Sequence, residues 1–226
     1  MFSAIIWDMD GTLVDSEPLW ARGTYEMSEA MGKRLTPELQ AQTVGASFSF
    51  TARLCAEHAG LELFDEAYWR SFAFKNMRAL FAKELELRPG VATMLQGFHA
   101  SGVPMAIATN TEREVADGAI DFLGRDLFEA TVCGDEVPEG KPAPDIYLKA
   151  AELLGVEPTS CLVFEDSVAG MQAALAAHTT VIGLPEDEEK LVPGAHSMRA
   201  LCGGIDFDFE QASDLAFWSG ALQKGD

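Results

Sequence analysis

The chain has 226 residues, 48% of them hydrophobic, and 36 acidic against 16 basic side chains give a formal charge of −20. This length suits one or two domains with a substantial core, and the charge repels nucleic-acid backbones and anionic membranes, so neither is an expected partner. No basic stretch followed by an apolar one opens the chain and no apolar run reaches the ~20 residues of a membrane span, so a cytoplasmic protein is expected. The scattered Cys55, Cys133, Cys161 and Cys202 read as reduced, mostly buried thiols.

In chain order, the apolar run before Asp8 predicts a strand over about 3–8. From Ser16 the pattern turns helical, with Pro18 suited to a first turn and Leu19, Trp20, Tyr25 and Met27 at helical spacings up to Gly32. Thr36-Pro37-Glu38 opens a second helix, which Gly45 should end. Ser49 to Ala59 is a third and Asp65 to about Glu84 a fourth. No strand signal interrupts residues 16–86, which suffice for a helical domain of their own. After Arg88-Pro89-Gly90 the pattern changes. Helices over about 90–100, 111–123, 144–154 and 167–177 alternate with strands over 105–108, 130–133, 161–164 and 180–182. Thr111-x-x-Glu114 reads as a capping box. Glu186 to Glu189 reads as a solvated turn or helix start, 211–222 as a short helix, and Gln223 to Asp226 as a frayed end.

Strands alternating with helices of about ten residues predict a Rossmann-like α/β core, a parallel sheet covered on both faces. Its residues are 1–15 and 87–226, with 16–86 inserted as an all-helical cap. Such sheets bind ligands beyond the carboxyl ends of their strands. Four loops there carry polar residues: Asp8 with Asp10, Thr109 with Asn110, Lys141, and Glu165 with Asp166.

Taken alone, each has an ordinary explanation. A D-x-D followed by Gly11 can be a turn, Asp166 or Ser167 can cap a helix, Thr109-Asn110 can cap another, and Lys141 can be a surface lysine. Taken together they suit phosphoryl transfer. One aspartate can attack while the other works as acid and base. Two acidic pairs facing one cleft repel each other unless a hard cation such as Mg2+ joins them. The Thr109 hydroxyl and nearby backbone N–H groups suit a phosphate, and Lys141 in its Gly140 and Pro142 frame adds positive charge. His58, His99, His178 and His196 lie in no motif. Asp135 either orients Lys141 or holds its turn.

Asp8-Met9-Asp10-Gly11-Thr12, Thr109, Lys141-Pro142 and Glu165-Asp166-Ser167 resemble, in order and over nearly the whole chain, the four motifs of the haloacid dehalogenase superfamily. The insert resembles the helical cap of the subgroup that holds beta-phosphoglucomutase, phosphoglycolate phosphatase and sugar phosphatases. The resemblance implies that Asp8 becomes an aspartyl phosphate. Asp10 then protonates the leaving oxygen and activates water. Mg2+ would be held by Asp8, the Asp10 carbonyl and Asp166, with Glu165 as a ligand or behind one. Thr109, Lys141 and the Asn110 amide would hold the phosphoryl oxygens. The presence of Asp10 disfavours dehalogenation.

The cap should select the substrate, with Trp20, Gly45, Ser47 and Phe48 as its candidate residues. Beta-phosphoglucomutases carry a G-x-S-R stretch there, whose arginine holds a second phosphate. Here Gly45-Ala46-Ser47-Phe48 ends in phenylalanine, and Trp20 stands where those mutases have histidine. Both changes favour hydrolysis over isomerisation. Trp20, Phe48 and Phe50 either line the lid or pack its core. The expectation is a monomeric, Mg2+-dependent phosphatase for a small phosphorylated metabolite, a sugar or polyol phosphate. A mutase of the phosphoglucomutase type is the first rival and a non-catalytic binding protein the second.

Overall fold

The computed structural model describes residues 2–223; Gln223, expected to open a frayed end, is instead the last residue of a helix, and the rest of that expected end lies outside the described residues. The chain divides into two compact units: it leaves the larger one after Asp15, builds the smaller one from Ser16–Leu85, and returns at Glu86.

In the larger unit six strands form one parallel sheet: β1 (Ala4–Trp7), β2 (Met105–Thr109), β3 (Ala130–Cys133), β4 (Cys161–Glu165), β5 (Thr180–Gly183) and β6 (His196–Ser197), in the order β3-β2-β1-β4-β5-β6. This is an α/β, Rossmann-like architecture. β6 has only two residues, too few to show any alternation in the sequence. The strand order reverses direction at β1, and in open parallel sheets the ligand crevice lies outside the strand ends at such a reversal. Asp8 follows β1, and Asp166 follows β4, its neighbour.

Alternation along the strands sorts the two faces. Ala4, Ile6, Ala106, Ala108, Cys161 and Val163 pack with Ile146, Tyr147, Ala150 and Met171 in one continuous core, which seats α7 (Asp145–Leu154) and α8 (Val168–Ala176). On the opposite face Trp7 stacks on Phe164 with ring centroids 4.5 Å apart and meets Phe98 and Phe207, and Trp218 meets Phe164 edge-on. Those rings come from α5 (Val91–Ala100), from the segment after α9 (Met198–Cys202), and from α10 (Leu215–Gln223). α6 (Arg113–Leu123) completes this unit. Glu188–Lys190 forms one 3-10 turn, and α10 begins at Leu215, later than its pattern suggests.

The smaller unit holds α1 (Glu17–Ala30), α2 (Pro37–Ala41), α3 (Phe48–Ala59) and α4 (Glu66–Glu84). α2 stops well short of Gly45, because a turn over 42–45 intervenes in which the Thr43 hydroxyl donates to Gln40 O. Ser47 caps α3, and Gly60 ends it at φ 70°. Met27, Met31, Ala52 and Cys55 form the core of this unit. α1 packs against α4 at Gly23, where a Cβ would stand 2.3 Å from Met77 Sδ.

Candidate active site

Register brings the first two acids together. Trp7 pairs with Phe164 across β1 and β4, so Asp8 and Glu165, each one residue further on, share the face covered by α7. The Asp8 amide donates to Phe164 O at 3.1 Å. Lys141 lies 133 residues from Asp8, yet its Nζ is 2.6 Å from Asp8 Oδ1 and 2.6 Å from Glu165 Oε1. Its side chain is 4% exposed. Asn110 braces it from behind: Asn110 Oδ1 accepts from the Lys141 amide at 2.8 Å and Nδ2 donates to Lys141 O at 3.3 Å.

Glu165 is fully buried and fully engaged. Its Oε1 accepts from Lys141 and from the Tyr147 hydroxyl at 3.0 Å, and its Oε2 accepts from the Ser167 amide and hydroxyl. Helix α8 can pass this close only because residue 170 is glycine, since a Cβ there would lie 1.5 Å from Glu165 Oε1. Asp166 accepts from the Thr12 hydroxyl at 3.3 Å. Gly11, at φ 82°, leaves room for Asp166, whose Oδ2 would lie 2.2 Å from a Cβ.

Asp10 points elsewhere. Its Oδ2 accepts from the Thr109 hydroxyl at 3.1 Å and from the Thr111 hydroxyl at 2.8 Å. The turn at Gly11 thus separates the two aspartates. The capping box at Thr111 does not form: α6 starts at Arg113 with no side-chain bond from its N-cap Glu112. Asp135 takes that place from a neighbouring segment, accepting from the Arg113 amide at 2.8 Å, so its hydrogen bond goes to the start of α6 and not to Lys141. Ser167 does cap α8 and also donates to Glu165.

Burial pushes the Asp8 carboxyl up, Lys141 pulls it down, and the neighbouring Glu165, Asp166 and Asp10 push it up again, leaving it well above the ordinary aspartate range. Burial alone would favour a neutral Lys141, but Asp8 and Glu165 outweigh it and hold the ammonium charged. The Tyr147 phenol is driven up by burial and by Glu165, and stays protonated.

The four candidates in the helical unit are not gathered into one chemical feature. The Trp20 ring meets Phe81 edge-on and Phe48 meets Phe74, so both have packing roles. Arg70 stands over the rings of Phe74 and Phe48. Ser47 Oγ accepts from the Phe50 amide at 3.3 Å, and Gly45 is an exposed turn residue at φ 71°. Of the residues that complete the acid cluster, Thr111 and Tyr147 carried no sequence signal of their own. Thr111 looked like a cap, and Tyr147 like any aromatic on the buried stripe of a helix.

A parallel sheet whose switch point carries acids from β1 and β4, a buried lysine and a threonine at the end of β2 defines the class. The sequence pattern of haloacid dehalogenase-like hydrolases matches residues 2–178, and the chain belongs to that family. It is 35% identical over 222 residues to a probable pseudouridine-5'-phosphatase of Drosophila melanogaster, covering 94% of each chain. It is 32% identical to the fructose-1-phosphate phosphatase YqaB of Escherichia coli (strain K12), covering 78% of this chain and 93% of that one. Among solved structures it is similar to CbbY from Rhodobacter sphaeroides in complex with phosphate, with a TM-score of 0.74 at 28% identity, covering 86% and 92% of the two chains. No helix among the described residues is long and apolar enough to cross a membrane.

Proposed function

We propose that this chain is a monomeric, cytoplasmic, Mg2+-dependent phosphatase that hydrolyses a sugar or polyol phosphate through an aspartyl phosphate on Asp8. One observation carries the reading. Asp8 Oδ1 is tied to Lys141, while Asp8 Oδ2 is buried with no hydrogen-bond partner. An orphaned buried carboxylate oxygen is costly unless a reacting group or a metal meets it.

The donor set fits a hard cation. Asp8, Glu165 and Asp166 each bring a carboxylate oxygen within 4.8 Å of the others, and the Lys141 ammonium bonds Asp8 and Glu165. All-oxygen surroundings of this charge suit Mg2+. Asp8, Asp166 and the Asp10 carbonyl would hold it, with Glu165, whose oxygens are taken by Lys141, Tyr147 and Ser167, behind them, and the bound ion would offset the charge on the phosphoryl group.

In this reading an Asp8 oxygen attacks phosphorus and the ester P–O bond breaks. Asp10 gives its proton to the departing alkoxide. Water then attacks the aspartyl phosphate, Asp10 takes a proton from it, and inorganic phosphate leaves with Asp8 restored. Lys141 stabilises the charge of the transferring group, and Thr109 and the Asn110 amide bind its oxygens. The helical unit, which springs from the loop after Asp10, selects the organic part of the substrate. The names of the two phosphatase relatives, a probable pseudouridine-5'-phosphatase and a fructose-1-phosphate phosphatase, support a phosphate borne on a sugar unit.

A phosphate-release screen across sugar, polyol and nucleoside monophosphates with Mg2+ tests this. Asp8→Asn is expected to lose at least a thousand-fold in rate (on the order of the losses seen when a unit of catalytic groups is broken); retained activity refutes the nucleophile. A hexose 1-phosphate should yield free sugar and phosphate. Conversion to the 6-phosphate without phosphate release would establish the mutase instead.

A further inference from the structure

We propose that Tyr147 is a positioning residue that fixes the Lys141 ammonium between Asp8 and Glu165, an inference that rests on the phosphatase reading for its kinetic consequence. Three contacts carry it. The Tyr147 hydroxyl donates to Glu165 Oε1 at 3.0 Å. That same oxygen accepts from Lys141 at 2.6 Å. The Lys141 Nζ also lies 5.0 Å from the centroid of the Tyr147 ring. Tyr147 is 0% exposed, in the first turn of α7.

A lysine is a point charge on a flexible stem with three donors. Two carboxylates alone leave it free to slide toward whichever attracts it more, and Glu165 is the natural competitor of Asp8. Tyr147 weakens that competitor by occupying part of Glu165 Oε1, while the Ser167 amide and hydroxyl hold Oε2 and prevent the carboxylate from rotating. The tyrosine ring meets the ammonium with its face, a weak electrostatic partner. The ammonium therefore stays beside Asp8, where the phosphoryl group is to be transferred. A tyrosine that only filled the core would keep its packing without the hydroxyl, since its neighbours Ile146, Ala150 and Ala151 are apolar.

Tyr147→Phe keeps the ring and removes the hydroxyl with its bond to Glu165. A hydrogen bond to a charged group is strong enough that kcat on a generic aryl phosphate with Mg2+ should fall about ten- to a hundred-fold, with KM changed less than about three-fold, because the charge to be stabilised grows in the transition state. In a Lys141→Ala background the same change should have less than about a two-fold effect, because the residue acts through the lysine. A second readout needs neither metal nor turnover. Nitrogen-15 spectra of the metal-free protein should show one slowly exchanging lysine ammonium, absent in Lys141→Ala and shifted or broadened away in Tyr147→Phe. Equal losses in both backgrounds, or an unmoved ammonium signal, would overturn the proposal. If the wild type releases no phosphate at all, the function fails, and the ammonium spectrum still decides the role of Tyr147.

Discussion

Single residues decide how tightly the acid cluster is held. Gly170 has no conformational need to be glycine, being inside α8, but the Glu165 carboxylate occupies the space its side chain would take. Gly170→Ala must push either the helix or Glu165 aside. It should lower stability by roughly 1–3 kcal/mol as an overpacking change, read by urea denaturation. It should also lower phosphatase turnover, because Glu165 holds Lys141. A variant as stable and active as the parent would show that the cluster tolerates displacement of Glu165. At this scale the acids after β1 and at the end of β4 were legible, because a strand that ends on charge is an anomaly visible in one dimension, whereas Lys141 stood out only beside the other motifs. The partners that hold them were not legible. Thr111 and Tyr147 reach Asp10 and Glu165 across 101 and 18 residues, and nothing local to either marks the contact.

At the scale of elements, the aromatic face of the sheet supports the strand ends from behind. Trp7 and Phe164 are the last residues before Asp8 and Glu165, and they stack on each other. α10 closes this face with Trp218, which is fully buried, meets Phe164, and donates its indole N–H to Ala212 O at 3.0 Å. Trp218→Ala should destabilise by about 3–5 kcal/mol, measured by urea denaturation. A loss below about 1 kcal/mol would mean that α10 contributes little to the fold. Most helices were legible from their period and first residues, as with Thr36 for α2 and Asp65 for α4, whereas the Ser47 cap starts α3 at Phe48, before its expected start at Ser49. The errors came where caps arrive from elsewhere or patterns are too short. Asp135 starts α6 from another segment, and β6 has two residues.

For the whole molecule the ionisation balance sets the acid limit of stability. Six carboxyls are held below their ordinary values: Glu26 by Asn76, Glu38 by its own backbone N–H and Thr36, Glu66 by Ser49, Glu84 by Arg22, Glu136 by Arg113, and Asp117 by Arg125 and Arg113 against the opposing effect of burial. Asp8 is shifted up. A lowered carboxyl contributes stability that is complete above its unfolded value, ~4, and is lost as pH falls through the lower folded one. Asp8 contributes with the opposite sign. The lowered carboxyls predict that the melting temperature of the metal-free protein falls as pH drops from about 5 toward 3. A rise over that window would show that relief of repulsion within this acidic chain outweighs the pairs.

By itself the sequence determined the alternation of strands and helices, the helical insert and the acids at the strand ends, because periodicity, capping and charge at the end of an apolar run are local properties. The tertiary structure alone decided which oxygen meets which donor. It set Asp10 against Thr109 and Thr111 while Asp8 faces Lys141, left Asp8 Oδ2 without a partner, and placed Tyr147 beneath the lysine. Those facts depend on the register of β1 against β4 and on the seating of α7 on the sheet, and packing between distant segments is settled only when the whole core closes.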